Sequence, residues 1–190
     1  MRCALPLIAA ACLIRPAQAA VTMVMQEVEG GILLSGSGSF AEPVTYDTPY
    51  NPFEMGIMPY DAIAVIGGGL AYFLGEGFSG PNRLGPSDWE WIATDVSGDQ
   101  FGIYGAQGIV APSDYIWGTY LSGTAFFANL SFAGLTLTPG TYVWTWNVAG
   151  GGTDSLTLQI IPEPTQWALV GVGLVGLGLV ASRKRRAARS

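Results

Sequence analysis

The chain has 190 residues, of which 49% are hydrophobic and only 12% charged, and glycine and proline supply 27 and 12 of them. This apolar, glycine-rich and charge-poor composition excludes a disordered acidic chain and a coiled coil. The net charge of −6 argues against nucleic acid as a partner, because neutralising phosphates requires a basic surface.

Residues 1–19 have the parts of a secretory signal peptide. A positively charged start precedes an apolar run over residues 4–14, and an Arg-Pro pair ends that run. Ala17 and Ala19 place small side chains at the two positions that a signal peptidase must accept, so we predict cleavage after Ala19. An ordinary first helix and lipidation at Cys12 are the weaker alternatives.

Residues 20–161 contain no evident amphipathic helix and consist of short β-rich runs separated by glycine and proline. The predicted strands are Ile32–Ser35, Ala62–Ile66, Leu70–Leu74, Trp89–Thr94, Phe101–Tyr104, Tyr115–Tyr120, Ala125–Phe132, Thr141–Val148 and Ser155–Ile161. Nine short strands predict an all-β exported domain, built as an antiparallel β-sandwich or a jelly-roll-like fold.

The last two predicted strands form the clearest unit, because apolar and polar residues alternate along both. The residues expected on one face are Tyr142, Trp144, Trp146 and Val148, followed on the return strand by Leu156, Leu158 and Ile160. Gly150–Gly152 provides the turn between the strands, and Pro139-Gly140 before them suits a type II turn. We therefore predict a β-hairpin with an aromatic face.

Few residues with catalytic chemistry remain in the exported part. The chain has no histidine, both cysteines lie in the predicted signal peptide, and no lysine precedes Lys184. Nucleophilic systems based on Ser–His, Cys–His or lysine are therefore excluded, as are histidine–carboxylate metal sites. Only carboxylates could act, as a glycosidase pair or as calcium ligands. We predict no enzyme, no cofactor and no metal site.

Two groups of carboxylates are candidates for such roles. In a strand, Asp88 and Glu90 would share one face while Trp89 and Trp91 take the other, which favours a solvated face over an aromatic core. The stretch Asp95–Asp99 lacks the dense Asp/Asn ladder of a calcium loop, so we predict a plain turn there.

Residues 165–182 carry no charge and are mostly Leu, Val, Gly and Ala. A helix of this length spans about 27 Å, close to a hydrocarbon core of about 30 Å, so we predict a single transmembrane helix. The basic cluster Arg183, Lys184, Arg185 and Arg186 opens the tail 183–190 and should remain cytoplasmic. Residues 20–166 keep one arginine against all 14 carboxylates, a net charge of −13, so the exported part is strongly acidic.

Immediately before this span stands the triplet Pro162-Glu163-Pro164. The triplet, a glycine-rich span and a terminal arginine cluster, in this order, resemble the PEP-CTERM sorting signal of bacterial exported proteins. The resemblance implies that residues 162–190 are a sorting segment recognised by a membrane protease-transpeptidase called exosortase. It also implies that Pro162, Glu163 and Pro164 are the recognition residues, that the span holds the protein in the lipid bilayer, and that the arginines fix its orientation.

The physical properties of the triplet fit this role, because two prolines around one carboxylate disfavour helix and keep the segment extended. The sequence thus predicts a non-enzymatic envelope or extracellular-matrix protein, exported through the inner membrane, transiently anchored, and then surface-bound or extracellular. A second hypothesis is a carbohydrate-binding module with exposed aromatics, which would make extracellular polysaccharide a partner; it is motivated by six Trp and eight Tyr. A plain single-pass anchored β domain is the third.

Overall fold

The computed structural model describes residues 20–44, 56–67, 77–105 and 108–162. Within them the chain forms eleven strands and one short helix. The strands are β1 (Ala20–Val28), β2 (Gly31–Gly38), β3 (Gly56–Met58), β4 (Ile63–Ile66), β5 (Trp91–Ile92), β6 (Asp95–Gly98), β7 (Phe101–Tyr104), β8 (Gly108–Val110), β9 (Leu121–Ala128), β10 (Gly140–Asn147) and β11 (Thr153–Ile161), and the helix α1 is Phe132–Leu135. The described part of the chain is all-β, as predicted.

Six strands form the larger sheet, in the order β10-β11-β1-β2-β9-β6. Strand β1 lies near its centre, antiparallel to β2 and parallel to β11, with Ala20 opposite Ser155 and Gln26 opposite Ile161. The sheet is therefore mixed, and the prediction of a wholly antiparallel fold was wrong at this pair. A parallel neighbour needs a long crossover, and here almost the whole domain separates β1 from β11.

The smaller sheet has five short strands in the order β5-β3-β4-β7-β8. Its strands are antiparallel throughout, with Ile63 opposite Tyr104 and Ile66 opposite Phe101. Residues on both of its faces are buried: β4 is buried at all four positions and β8 at all three. The sheet thus has an apolar outer face as well as an apolar inner one.

A single hydrophobic cluster contains side chains from both sheets. The larger sheet contributes alternate residues of its strands, and the fully buried ones include Met23, Leu34, Phe127, Trp144 and Leu158. The smaller sheet contributes Ile57, Ile66, Phe101 and Ile103 to the same cluster. Ile63, Val65 and Val110 form a second cluster on its other face. Period-2 alternation along the long strands therefore decides which side chains enter the shared core.

The final hairpin is confirmed. Strands β10 and β11 pair antiparallel with Trp144 opposite Leu156, and all three turn glycines have positive φ. The type II turn at Pro139-Gly140 was wrong, since Gly140 lacks the positive φ that such a turn requires and instead begins β10.

Among the other predictions, Ile32–Ser35, Ala62–Ile66 and Phe101–Tyr104 fall on β2, β4 and β7. Ala125–Phe132 was displaced by four residues from β9, and Trp89–Thr94 shrinks to the two residues of β5. Tyr115–Tyr120 is a loop with turns, while Leu70–Leu74 lies outside the described residues. Strands β1, β3, β6 and β8 were not predicted.

Candidate functional site

The last strand of the larger sheet ends next to the predicted sorting triplet. Strand β1 includes Ala20, the first residue that the structure describes, and β11 ends at Ile161, the residue before the triplet. Pro162 follows directly and is exposed. Because β1 and β11 are parallel, Ala20 and Ile161 lie at opposite ends of the sheet, separated by about 20 Å along the strands.

Most of the predicted sorting and signal residues lie outside the described residues. This applies to Ala17, Ala19, Glu163, Pro164, Arg183, Lys184, Arg185 and Arg186, and to the predicted span at 165–182. In the part of the chain that is described, no helix is long and apolar enough to cross a bilayer.

The carboxylates singled out from the sequence are placed differently from expectation. Residues 87–90 are not a strand. The prediction that Trp89 lies in an aromatic core opposite Asp88 and Glu90 was wrong, because the Trp89 side chain is 73% exposed. Trp91 does pack against the core. The predicted turn at Asp95–Asp99 was also wrong, because Asp95–Gly98 is strand β6, paired with β9. No cluster of three metal-binding side chains occurs among the described residues.

Asp154 is a buried carboxylate that the sequence analysis did not single out. It is only 2% exposed and lies on the core side of β11. Its Oδ2 accepts a hydrogen bond from the Ala41 N–H at 2.8 Å, and its Oδ1 accepts one from the N–H of Ser155 at 2.7 Å. Burial raises the pKa of this carboxyl, and the two N–H donors act against that rise. Asp154 thus holds the backbone of Ala41 against β11 by a hydrogen bond, which is a structural role.

The aromatic side chains divide into a buried and an exposed set. Trp144 and Trp146 belong to the core, and the Nε1 of Trp144 donates to the Pro81 carbonyl at 2.8 Å. Trp89 and Tyr120 are 73% and 68% exposed, and Tyr60 is 40% exposed. Trp89, Tyr120 and Tyr60 are thus the exposed aromatic side chains in the part of the chain that the structure describes.

Of the exposed aromatics, Tyr60 lines a cleft at the end of the smaller sheet, which we call the Tyr60–Arg83 cleft. Its volume is about 260 Å³, and it is lined by Tyr60, Asp61, Ile63, Asn82, Arg83, Tyr104 and Gly105. The Arg83 guanidinium lies over the Tyr60 ring, with its Cζ 4.0 Å from the ring centroid. The cleft therefore combines aromatic rings, an amide, a carboxylate and the single arginine of residues 20–166.

Backbone hydrogen bonds hold the walls of this cleft together. The N–H of Tyr60 donates to the Ser87 carbonyl at 2.8 Å, and the N–H of Leu84 donates to the Pro59 carbonyl at 2.7 Å. The two segments that carry Tyr60 and Arg83 are thereby fixed side by side. Gly105 closes one wall with φ +54°, and a Cβ there would lie 2.2 Å from the Asp61 carbonyl oxygen, so only glycine fits.

The cleft lies toward the end of the larger sheet at which β11 finishes. The N–H of Thr138 donates to the Leu84 carbonyl at 2.8 Å, and Gly140, two residues further on, is opposite Ile160 in the sheet register. A short path of hydrogen-bonded backbone therefore connects the cleft to the end of β11.

The only signal of this cleft in the sequence is the isolation of Arg83 as the one basic residue in residues 20–166. Its lining residues come from three separate stretches, at 60–63, 82–83 and 104–105. Comparison with known proteins adds no assignment, since the chain matches no protein-family model, no curated protein and no solved structure.

Proposed function

We propose that the protein is a non-enzymatic, exported envelope or extracellular-matrix protein that is sorted through its C-terminal segment. The observation that carries the proposal is the end of β11. That strand ends at Ile161 and Pro162 is exposed, so the last strand stops directly before the predicted sorting triplet. This placement supports a sorting site that directly follows the last strand.

In this proposal the signal peptide directs export, and an antiparallel-rich β-sandwich folds outside the inner membrane. A single helix at about 165–182 then holds the chain in the bilayer, with the basic tail on the cytoplasmic side. An exosortase recognises Pro162, Glu163 and Pro164 and removes or exchanges the residues beyond the triplet. The mature protein reaches the cell surface or the surrounding matrix.

The end of β11 supports presentation of the triplet to such an enzyme. Strand β11 is paired with β1 as far as Ile161, and Pro162 is exposed directly after it. Proline cannot donate a ladder hydrogen bond, so the sheet cannot extend through residue 162. The strand thus stops where the predicted recognition residues begin, and we expect cleavage beyond residue 162 to leave β11 paired.

The test replaces Pro162, Glu163 and Pro164 together with alanine in a host that carries an exosortase. Membrane insertion should persist, because the hydrophobicity of the span is unchanged, while unprocessed chain should accumulate in the membrane. Mass spectrometry of the surface or shed protein locates the new C-terminus. Pro139→Ala is the matched control, since it removes an exposed proline outside the triplet and should leave processing unaffected.

Two results would contradict the proposal. One is a wild-type protein that keeps Arg183–Ser190 at the cell surface of such a host, and the other is an alanine variant that is processed as fast as the wild type. Either result would leave a plain anchored β domain. A reporter fused after Ser190 tests the orientation separately, and activity of a periplasmic reporter there would reverse the assigned topology.

A carbohydrate-binding module is the second candidate function. It is favoured by the exposure of Trp89, Tyr120 and Tyr60, because an aromatic face left in solvent can stack on the apolar face of a sugar ring. The two candidates are compatible, since sorting concerns the C-terminal segment and binding would concern the β domain.

A further inference from the structure

We propose that the Tyr60–Arg83 cleft binds one ring of a saccharide. The proposal rests on the second candidate function, concerns the β domain alone, and is independent of how the C-terminal segment is processed. It selects one place among the exposed aromatic side chains, because the exposed ring of Tyr60 and several polar residues line the same concave surface.

The side chains of the cleft fit the chemistry of a sugar. A pyranose presents vicinal hydroxyl groups, which both donate and accept hydrogen bonds, and a C–H face, which packs on aromatic rings. Asp61 can accept from hydroxyls, Asn82 can donate and accept, and Arg83 can donate through several N–H groups. Tyr104 and Ile63 supply apolar surface, and so does the Tyr60 ring, one face of which is already covered by Arg83.

The charges of the cleft select against a strongly anionic ligand such as phosphate. Asp61 places a carboxylate in the same cleft as Arg83, and residues 20–166 carry a net charge of −13. A phosphate would be attracted by one arginine and repelled by its surroundings, whereas a hydroxyl-rich neutral ring uses both charged groups as hydrogen-bond partners.

The stacking of Arg83 on Tyr60 makes the site partly preorganised. A guanidinium held over a ring has lost part of its side-chain freedom before a ligand arrives, which lowers the entropy cost of binding. The volume of about 260 Å³ lies below the usual range for drug-sized ligands, so the cleft admits one ring and the rest of a glycan would extend into solvent.

Saturation-transfer NMR on the full-length chain, held in a detergent without a sugar headgroup, tests the proposal. The probes are the methyl glycosides of glucose, galactose, mannose and N-acetylglucosamine. At least one of them should receive saturation from the protein. The variants Arg83→Met and Asn82→Ala should each weaken its binding by about tenfold or more, the loss expected when hydrogen bonds to a charged or amide group are removed.

Tyr120→Ala and Trp89→Ala are the matched controls, because both remove exposed aromatic rings that do not line the cleft. They should bind the glycoside as the wild type does, and the far-UV circular dichroism of all four variants should be unchanged. The absence of saturation transfer to every glycoside would overturn the proposal. So would full displacement of the glycoside by inorganic phosphate, or loss of binding in a control variant but not in Arg83→Met.

Discussion

The two sheets of the molecule are built from strands of very different length. In the larger sheet five of the six described strands have eight or nine residues, whereas no described strand of the smaller sheet exceeds four. The larger sheet buries alternate residues, as β11 shows, with Asp154, Leu156, Leu158 and Ile160 buried and their neighbours more exposed. The smaller sheet buries consecutive residues in β4 and β8.

This difference shows what a sequence pattern can and cannot report. Alternation appears only where one face of a strand is buried and the other is wet, which is the condition in the larger sheet. A short strand buried on both faces gives a continuous apolar run without a period. The boundaries of the smaller sheet therefore depend on turns and on contacts that are distant in sequence.

The largest effect that tests this comparison is a truncation in the core of the larger sheet. Trp144 is fully buried, and its Nε1 donates to the carbonyl of Pro81. Trp144→Ala should lower the free energy of unfolding by about 3–5 kcal/mol, because it removes a large buried side chain and leaves a cavity. Chemical denaturation of the full-length chain, followed by far-UV circular dichroism, measures the change.

Val65→Ala is the counterpart in the smaller sheet, where Val65 belongs to the outer apolar cluster. Because less buried side-chain volume is removed there, the substitution should lower the free energy of unfolding by about 2 kcal/mol. If the two variants are equally destabilised, or if Val65→Ala is the worse of the two, the larger sheet is not the main source of stability.

The final hairpin could be predicted because both of its strands alternate over eight or nine residues and a run of three glycines separates them. Strand β1 alternates as well, with Val21, Met23 and Met25 inward, but in the sequence it directly follows the segment predicted to be a signal peptide, which obscures its start. The aromatic run 115–120 has the composition of a strand and was wrongly predicted as one. The run is instead a loop in which Tyr115 packs edge-on against Trp117, with 5.3 Å between the ring centroids, while Tyr120 is exposed.

That error has a physical reason, since β-propensity measures how well a side chain packs on a pleated surface and not a backbone preference alone.

The candidate site could not be predicted from the sequence, because it also depends on contacts between distant parts of the chain. Its polar side chains come from turns around the smaller sheet, and only the folded chain brings residues 60–63, 82–83 and 104–105 together. No local pattern marks such a convergence.

The second prediction concerns the buried carboxylate of the larger sheet. Asp154→Ala leaves the N–H groups of Ala41 and Ser155 without their acceptors, which should lower the free energy of unfolding by about 2–3 kcal/mol. Asp114→Ala, at an exposed position, is the control and should change it by less than about 0.5 kcal/mol. Equal effects of the two substitutions in chemical denaturation would show that Asp154 does not fasten residue 41 to the sheet.

The third prediction is the pH dependence that Asp154 brings to the larger sheet. Burial raises the folded-state pKa above the ordinary value of 3.8, so the folded chain keeps this proton at pH values where the unfolded chain has lost it. The contribution of Asp154 to stability therefore decreases as the pH rises from 3.8 through the folded-state pKa. The difference in unfolding free energy between wild type and Asp154→Asn should favour the wild type more at the acidic end. A difference that does not vary with pH contradicts this.

The smallest predicted effect lies in the Tyr60–Arg83 cleft, beside the smaller sheet. The guanidinium of Arg83 lies 4.0 Å from the centroid of the Tyr60 ring, and an exposed contact of this kind is worth about 0.5–1 kcal/mol. A double-mutant cycle of Arg83→Met and Tyr60→Leu isolates that contact from the packing that each side chain makes separately.

Each single variant should unfold at a slightly lower denaturant concentration, while the slope of the unfolding free energy against denaturant concentration stays unchanged. A coupling energy near zero would mean that the stack does not hold the cleft together. A coupling above about 2 kcal/mol would mean that the pair is desolvated, which contradicts its exposure. The intermediate value is the one that leaves Arg83 both held in place and open to a ligand, because a weak stack orients the guanidinium without taking it out of water.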